Sequence, residues 1–333
     1  MSKKIKVCII LLNYKNWKDT CECLDSIYKT TYSYKHIIVI DNASNNGSIE
    51  KIKNKFPEID LIENKENLGF SRACNIGIKK ALNINSDYIL LLNNDTIVHP
   101  SFLEPLINEG EDNPNVGILT GKIYYFNSNK IWYGGAKKGF FKSIHKGQGI
   151  IDKGQFNKKE NISFASGCMM MIKKEVLEVC GFLDERFFFG MEDREYCDRV
   201  IKNGFKILYV PNSVIWHKIG GSLSLNPGKV YNGYLESILF IKTKYTGLKQ
   251  RIILFIYNIY GKFAILRFYY LGLIAFKDIH IYNKAIKLAF LKGNKIEKTS
   301  KDDLFLNIDN LDYRKEVINR KNHLDNNNFF KFN

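Results

Sequence analysis

Five short runs of Ile, Val and Leu, each followed by a polar turn or a stretch of helical periodicity, constrain this chain more than any other feature. They are VCIILL, HIIVID, IDLIEN, DYILLLNND and VGILTGKI, and the helical stretches between them fall near residues 19–29, 48–55, 71–81 and 100–109. Near-continuous apolar runs separated by helices of about 10–15 residues mark parallel strands covered on both faces. The expected fold is therefore α/β, a mainly parallel, doubly wound sheet flanked by helices. Such sheets bind ligands outside the carboxyl ends of their strands. Those ends are polar: Asn13 and Tyr14, Asp41 and Asn42, and Asn93, Asn94 and Asp95. One polar residue after a strand is ordinarily a turn or a cap, whereas three on neighbouring strands would converge on one crevice.

At 333 residues the chain can hold one large domain with an appendage, or two small ones. Its formal charge of +16 implies an anionic partner (nucleic acid, a phosphorylated substrate or an anionic membrane surface), or simply a lysine-rich composition. Seven cysteines are odd in number, and Cys21 and Cys23 have no second pair to complete a zinc site. Several lie in apolar runs, so buried free thiols in a reducing compartment are expected. The start, MSKKIKVCIILLNY, has the charged-then-apolar look of a signal peptide. Its apolar run is too short and has no small-residue cleavage site, so it reads as a first strand and the chain as cytoplasmic.

From about Tyr124 to Asn161 the periodicity dissolves into Gly, Lys and aromatics, as in long functional or mobile loops. Order returns with SFASGCMMMIKKEVLEVCGF, a strand running into a helix, then FFFGMEDREYCDRV, KILYVP and VIWHKIGG. Beyond Val230 the segment IILFIYNIYGKFAILRFYYLGLIAF is interrupted by Asn258, Gly261, Lys262 and Arg267. A spanning helix needs about 20 nearly uninterrupted apolar residues. Residues 229–298 carry thirteen Lys and Arg against three acids, Glu236, Asp278 and Glu297. Helices of this kind lie in a membrane interface or form an ordinary helical subdomain. The stretch FFFGMEDREYCDRV is open in the same way. Its acids could serve the positive end of a helix, worth about 0.3–1 kcal/mol, or present a catalytic carboxylate.

Five segments in order, ILLNYKNWKDTCECLDSI, VIDNASNNGS, ENLGFSRACNIGI, LLNNDTIV and FLDERFFFGMEDREYCDRVIKNGFKILYVPNSVIWH, resemble the inverting family 2 nucleotide-sugar glycosyltransferases, in particular their rhamnosyltransferase-like branch. The resemblance spans about residues 5–222 and implies an A-type glycosyltransferase fold. A nucleotide-binding half (about 1–120) and an acceptor half (about 121–228) would share one sheet, followed by a helical basic and aromatic region (229–333) with a flexible, Asn-rich end.

The resemblance also implies roles. Asn13, Tyr14 and Asp41 would hold the base, the carboxylate accepting an imide N–H of uracil or thymine. Asn67, Gly69 and Arg72 would line the nucleotide, Gly69 letting backbone approach the ligand and a helix starting near Ser71 facing phosphate. Relatives that have this arginine usually carry it just before the second Asn, where Cys74 stands here. LLNNDTIV resembles the DXD motif, with Asn93 and Asn94 in place of the first two positions. Asp95 would ligate Mn2+ or Mg2+, Asn94 would face the donor, and Gly167 would line the same pocket. His217 would complete metal or pyrophosphate binding. Asp193 is the implied base, Glu192 would hold the acceptor or the loop, and Phe187 to Phe189 would form an apolar wall that raises the carboxylate pKa. Adjacent helix residues diverge by about 100°, so both acids cannot address one acceptor atom.

The expected partners are a UDP- or dTDP-type sugar donor, a saccharide or lipid-linked glycan acceptor, and the inner face of an anionic membrane where the protein lies peripherally. Nucleic acid is not expected, because no nucleic-acid motif accompanies the charge. The competing reading is a catalytically weak protein of the same fold that binds nucleotide sugar or glycan.

Overall fold

A computed structural model describes residues 4–139, 143–219, 227–270 and 279–293; the Asn-rich end and the glycines of VIWHKIGG lie outside them. The first half alternates as the apolar runs require. The elements are β1 (Val7–Asn13), α1 (Trp17–Tyr28), β2 (Lys35–Asp41), α2 (Ser48–Lys55), β3 (Asp60–Glu63), α3 (Gly69–Asn83) and β4 (Tyr88–Asn93). β3, β2, β1 and β4 are neighbours in that order and all parallel. The side chains of β1 and β4 and of most of β2 are buried because helices cover the faces of the sheet, while those of the edge strand β3 are only partly covered. Gly77 of α3 shows how closely one helix lies. A Cβ there would stand 2.9 Å from Ile10 and 3.0 Å from Ile40.

After Asp95 the chain departs from the expected helix at residues 100–109. Thr96–Val98 forms a short strand, β5, and α4 occupies Leu103–Asp112. A turn closed by the Phe102 amide on the His99 carbonyl at 3.0 Å occupies the residues ahead of the helix. β6 (Val116–Tyr125) and β12 (Lys206–His217) form a second parallel pair. β11 (Met169–Lys173) runs antiparallel between β4 and β6 and joins the two halves into one mixed sheet. α5 (Lys174–Cys180) and α6 (Glu192–Lys202) lie between β11 and β12 in the chain.

The stretch between Tyr124 and Asn161 holds more structure than its composition suggests. β7 (Ile131–Tyr133) pairs with β6, β8 (Ala136–Lys138) with β9 (Ser143–His145), and β10 (Glu160–Ile162) with β12. A buried ion pair pins it to the sheet: Lys122 Nζ lies 2.7 Å from Asp152, which also accepts the Tyr124 hydroxyl at 2.6 Å. All seven cysteines are buried free thiols.

Three helices follow: α7 (Pro227–Lys244), α8 (Gly247–Tyr270) and α9 (Ile279–Gly293). They bury Tyr231, Leu235, Ile238, Tyr257, Ile265 and Ile286 against one another, with Phe188 inserted among them. Phe187 packs on Leu239 and Phe240 of α7. The aromatic run is thus the joint between sheet and helices, and Phe189 alone stays exposed, at 64%. Among the described residues no helix is long and apolar enough to cross a membrane.

Candidate active site

The parallel register sets Asn13 beside Asp41, and Leu12 beside Asn93, so the polar ends of three strands meet at one edge. Asn13 Nδ2 donates to Asp41 Oδ2 at 2.6 Å and to Ser44 Oγ at 3.1 Å. The Ser44 amide donates to Asp41 Oδ1 at 2.8 Å. The Asp41 carboxylate thus braces its own turn, yet an ionised carboxylate has about four acceptor positions, so capacity for a ligand N–H remains. Thr20 of α1 ties this group to the next strand end. Its hydroxyl donates to Asn13 Oδ1 at 2.9 Å and accepts from Asn94 Nδ2 at 2.8 Å. Tyr14 is half-buried at the same edge.

Asn42, 2% exposed, organises the loop before α3. Its amide donates to Asn67 Oδ1 at 2.7 Å and to the Gly69 carbonyl at 3.2 Å, and its Oδ1 accepts from Asn64 Nδ2 and from the Leu68 amide. Gly69 has φ +78°, and a Cβ there would lie 2.6 Å from the Phe188 carbonyl oxygen. That oxygen also accepts the Phe70 amide at 2.7 Å. The backbone that approaches Gly69 is thus the Phe187–Phe189 segment, which locks the two halves of the cleft together. Arg72 is exposed, with its Nε 3.8 Å from Glu185.

At the far side, antiparallel pairing of β5 with β12 places Thr96 opposite His217 and so sets Asp95 against the imidazole. His217 Nε2 lies 3.0 Å from Asp95 Oδ1 and 3.5 Å from Asn93 Nδ2, and Trp132 packs edge-on at 4.7 Å. Burial opposes a charged ring here, but Cys168 and the Asp95 carboxylate outweigh it and hold the His217 pKa up to about 10. The next residue, Lys218, donates its backbone N–H to the Asp95 carbonyl and its ammonium to Asp19 and Glu22 of α1.

α6 starts at Glu192 with three acids in its first turn, as suits the positive end of a helix. The two leading carboxylates diverge. Glu192, 5% exposed, accepts the Gly190 amide. Asp193 is half-buried and accepts the amides of Gly167 at 3.2 Å and Arg194 at 2.7 Å. Burial, and then the charge of Glu192, push the Asp193 carboxyl up to about 8; burial raises Glu192 as well. The causes are desolvation first and the paired acid second. Arg194 was not foreseen as part of this group. It is 5% exposed, stacks on Phe240 at 5.3 Å and donates to the Gly139 carbonyl at 2.9 Å.

Gly167 and Cys168 connect the two sides. The Cys168 carbonyl accepts the Asn93 amide at 3.0 Å, its thiol neighbours His217, and the preceding Gly167 amide binds Asp193. A Cβ at Gly167 would meet Phe70 at 3.3 Å.

Among the described residues no group of three or more His, Cys, Asp or Glu forms a cage for a metal ion. Asp95 and His217 nevertheless fit a cation held mainly by substrate oxygens. Adjacent ligands of an octahedral ion at about 2.1 Å lie about 3 Å apart, close to the observed 3.0 Å. The cation would replace the proton that the pair now shares.

In sequence and in fold the chain is similar to glycosyltransferases. A family model described as glycosyl transferase family 2 matches residues 7–181, and one described as N-terminal domain of galactosyltransferase matches residues 153–220. The second match contains Gly167, Glu192, Asp193 and His217. A dTDP-rhamnosyl transferase, RfbF, of Shigella flexneri is 28% identical over 188 residues, which are 56% of this chain and 60% of that protein. The chain thus spans somewhat under two thirds of that relative's length. An N-acetylglucosaminyl-diphospho-decaprenol L-rhamnosyltransferase of Mycobacterium tuberculosis is 22% identical over 63% of this chain and 76% of its own. Two solved structures share the fold. The mannosyltransferase PcManGT from Pyrobaculum calidifontis, in complex with GDP-Man and Mn2+, has a TM-score of 0.52 at 14% identity, covering 89% of this chain and 88% of its own. GalNAc-T7 with UDP, GalNAc and Mn2+ has a TM-score of 0.58 at 16% identity, covering 93% and 57%. With the model matched over more than half of the residues and rhamnosyltransferases among its relatives, the chain belongs to glycosyl transferase family 2, in its rhamnosyltransferase-like branch.

Proposed function

We propose that this chain transfers a sugar from a UDP- or dTDP-type donor to a saccharide or lipid-linked glycan, with inversion at the anomeric carbon, in cell-surface polysaccharide synthesis. Residues 1–228 form the catalytic unit in this reading. The observation that carries it is the Gly167–Cys168 link, which sets Asp193 on one side and the Asn93–Asp95–His217 group on the other. Asn13, Tyr14 and Asp41 hold the base; Asn67, Gly69, Asn94 and Gly167 line the donor, with Arg72 at its exposed margin. Asp95 and His217 would hold Mn2+ or Mg2+, which would supply positive charge to neutralise the departing diphosphate.

Asp193 takes the proton of the acceptor hydroxyl as that oxygen bonds to the anomeric carbon. The bond from that carbon to the diphosphate oxygen breaks, and its electron pair leaves with the nucleotide. A carboxylate whose pKa is raised is the stronger base, which suits an acceptor alcohol. Glu192 enforces that elevation and holds the loop through Gly190. Replacement of Asp193 by Asn tests the assignment: transfer should vanish while UDP or dTDP and Mn2+ still raise the melting temperature. Normal turnover in that variant would show that another group is the base. A binding protein without catalysis is disfavoured by the retention of Asp95, His217 and Asp193 in one cleft, and by its rhamnosyltransferase relatives.

A further inference from the structure

Helix α8 is apolar on two opposite faces, and among the described residues only one of them is packed against other elements. Tyr257 and Ile265 are buried against α7 and α9, and a Cβ at Gly261 would press on Tyr234 and Ile286. The other face carries Leu248, Ile252, Phe255, Ile259, Phe263 and Leu266, spaced at steps of three and four and all substantially exposed. At 100° per residue they fall within a stripe about 80° wide. Leu248, Phe255 and Phe263 are 73%, 67% and 66% exposed, and Tyr270 extends the stripe at 82%. Single exposed apolar residues need no explanation, but a continuous stripe six turns long marks an interaction surface.

Its charges identify the partner. Lys249 and Arg267 project near one edge of the stripe, and Arg251 and Lys262 near the other; α8 has no acid. The adjoining α9 also lacks acids and adds Lys284, Lys287 and Lys292 beside exposed Leu288 and Leu291. A second copy of this chain would set these cations against each other. An anionic lipid surface accepts the aliphatic and aromatic stripe and neutralises both rows of lysine and arginine. Four charges in 24 residues and the packed opposite face make the helix lie in the surface rather than traverse it.

We propose that the exposed face of α8 docks this chain on an anionic lipid bilayer, with the helix axis in the plane of the headgroups. The helices that carry it clasp Phe187 and Phe188, just ahead of Glu192 and Asp193. Docking would thus bring the proposed acceptor side to the level where lipid-linked glycans emerge. The docking claim does not depend on the donor chemistry, so either reading can fail alone.

The test is flotation of the full chain with vesicles of phosphatidylcholine containing phosphatidylglycerol, and with phosphatidylcholine alone. The parent should float with the anionic vesicles and be released by salt. Phe255→Ser combined with Phe263→Ser should lower the bound fraction roughly tenfold, as should Lys249→Gln with Lys262→Gln. Both pairs change exposed side chains, and an unaltered melting temperature verifies their fold. Three results would overturn the proposal. They are a parent that stays at the bottom of the gradient, a serine pair that floats like the parent, and a dimer in light scattering that the serine pair dissolves, which would assign the stripe to a second copy.

Discussion

Two aspartates of the proposed site, Asp41 and Asp193, stand in different surroundings. Asp41 ends a strand, and its oxygens are met by an amide side chain and a backbone N–H of its own turn. Asp193 starts a helix beside Glu192, and burial and that second acid hold its carboxyl near 8. The first arrangement is suited to presenting fixed acceptors to a ligand. The second makes the carboxylate a stronger base, because the charged form is disfavoured and gains more by taking a proton. Both carboxylates accept two hydrogen bonds; what sets Asp193 apart is the second acid beside it.

The largest expected effect breaks the reacting side. Asp193→Asn should lower transfer by about 10³-fold, within the usual range for a lost general base, with donor binding retained. The comparison sharpens when the same variant is followed against pH. The folded-state pKa of Asp193 lies above its unfolded value, so the native state binds more protons between about pH 4 and 8 and is destabilised as pH rises through that window. The Asn variant should lose this slope and melt higher than the parent at pH 9, by on the order of 1–3 kcal/mol in stability. An identical pH dependence of melting in parent and variant would refute the elevated pKa.

On the binding side, Asn42→Ala strands the Leu68 amide and releases Asn67. A loss of about 2 kcal/mol in denaturant unfolding is expected, together with weaker retention of UDP or dTDP. Asp95→Asn and His217→Gln should each abolish the Mn2+-dependent part of the thermal shift produced by nucleotide diphosphate; a full shift in both would remove the metal from this pair. The smallest change is Lys218→Met, which cuts the tie from β12 to Asp19 and Glu22. About 0.5–1 kcal/mol is expected, since the ammonium is only partly buried.

Much of the cleft was legible in the chain. Asn13, Asp41 and Asp95 announce themselves because they follow apolar runs at the point where a parallel sheet opens. His217 and Asp193 required the resemblance, since a lone histidine after a strand and a pair of helix-start acids have ordinary structural uses. Thr20, Lys218 and Arg194 were missed, and Asn42 was read only as a polar strand end. Only their partners distinguish them, and those partners lie 27 residues away for Asn42 to Gly69, 55 for Arg194 to Gly139, and 199 for Lys218 to Asp19. The segment from Tyr124 to Asn161 was read as a loop because its strands are three residues long and separated by glycine-containing turns, too short for alternation to be visible.

Local chemistry alone, then, determined the parallel strands, their polar ends and the acid-led start of α6, because each depends on neighbours within a few residues. Tertiary structure decided three further matters. It inserted β11 antiparallel between the halves, it turned Gly69 toward the Phe188 backbone, and it gave Phe187 and Phe188 to the C-terminal helices. These outcomes depend on which surfaces meet after the chain has folded back on itself, and no periodicity encodes that. The elevated pKa of Asp193 belongs with them: it arises from burial and from Glu192, and the burial exists only once the sheet and helices have closed around the pair.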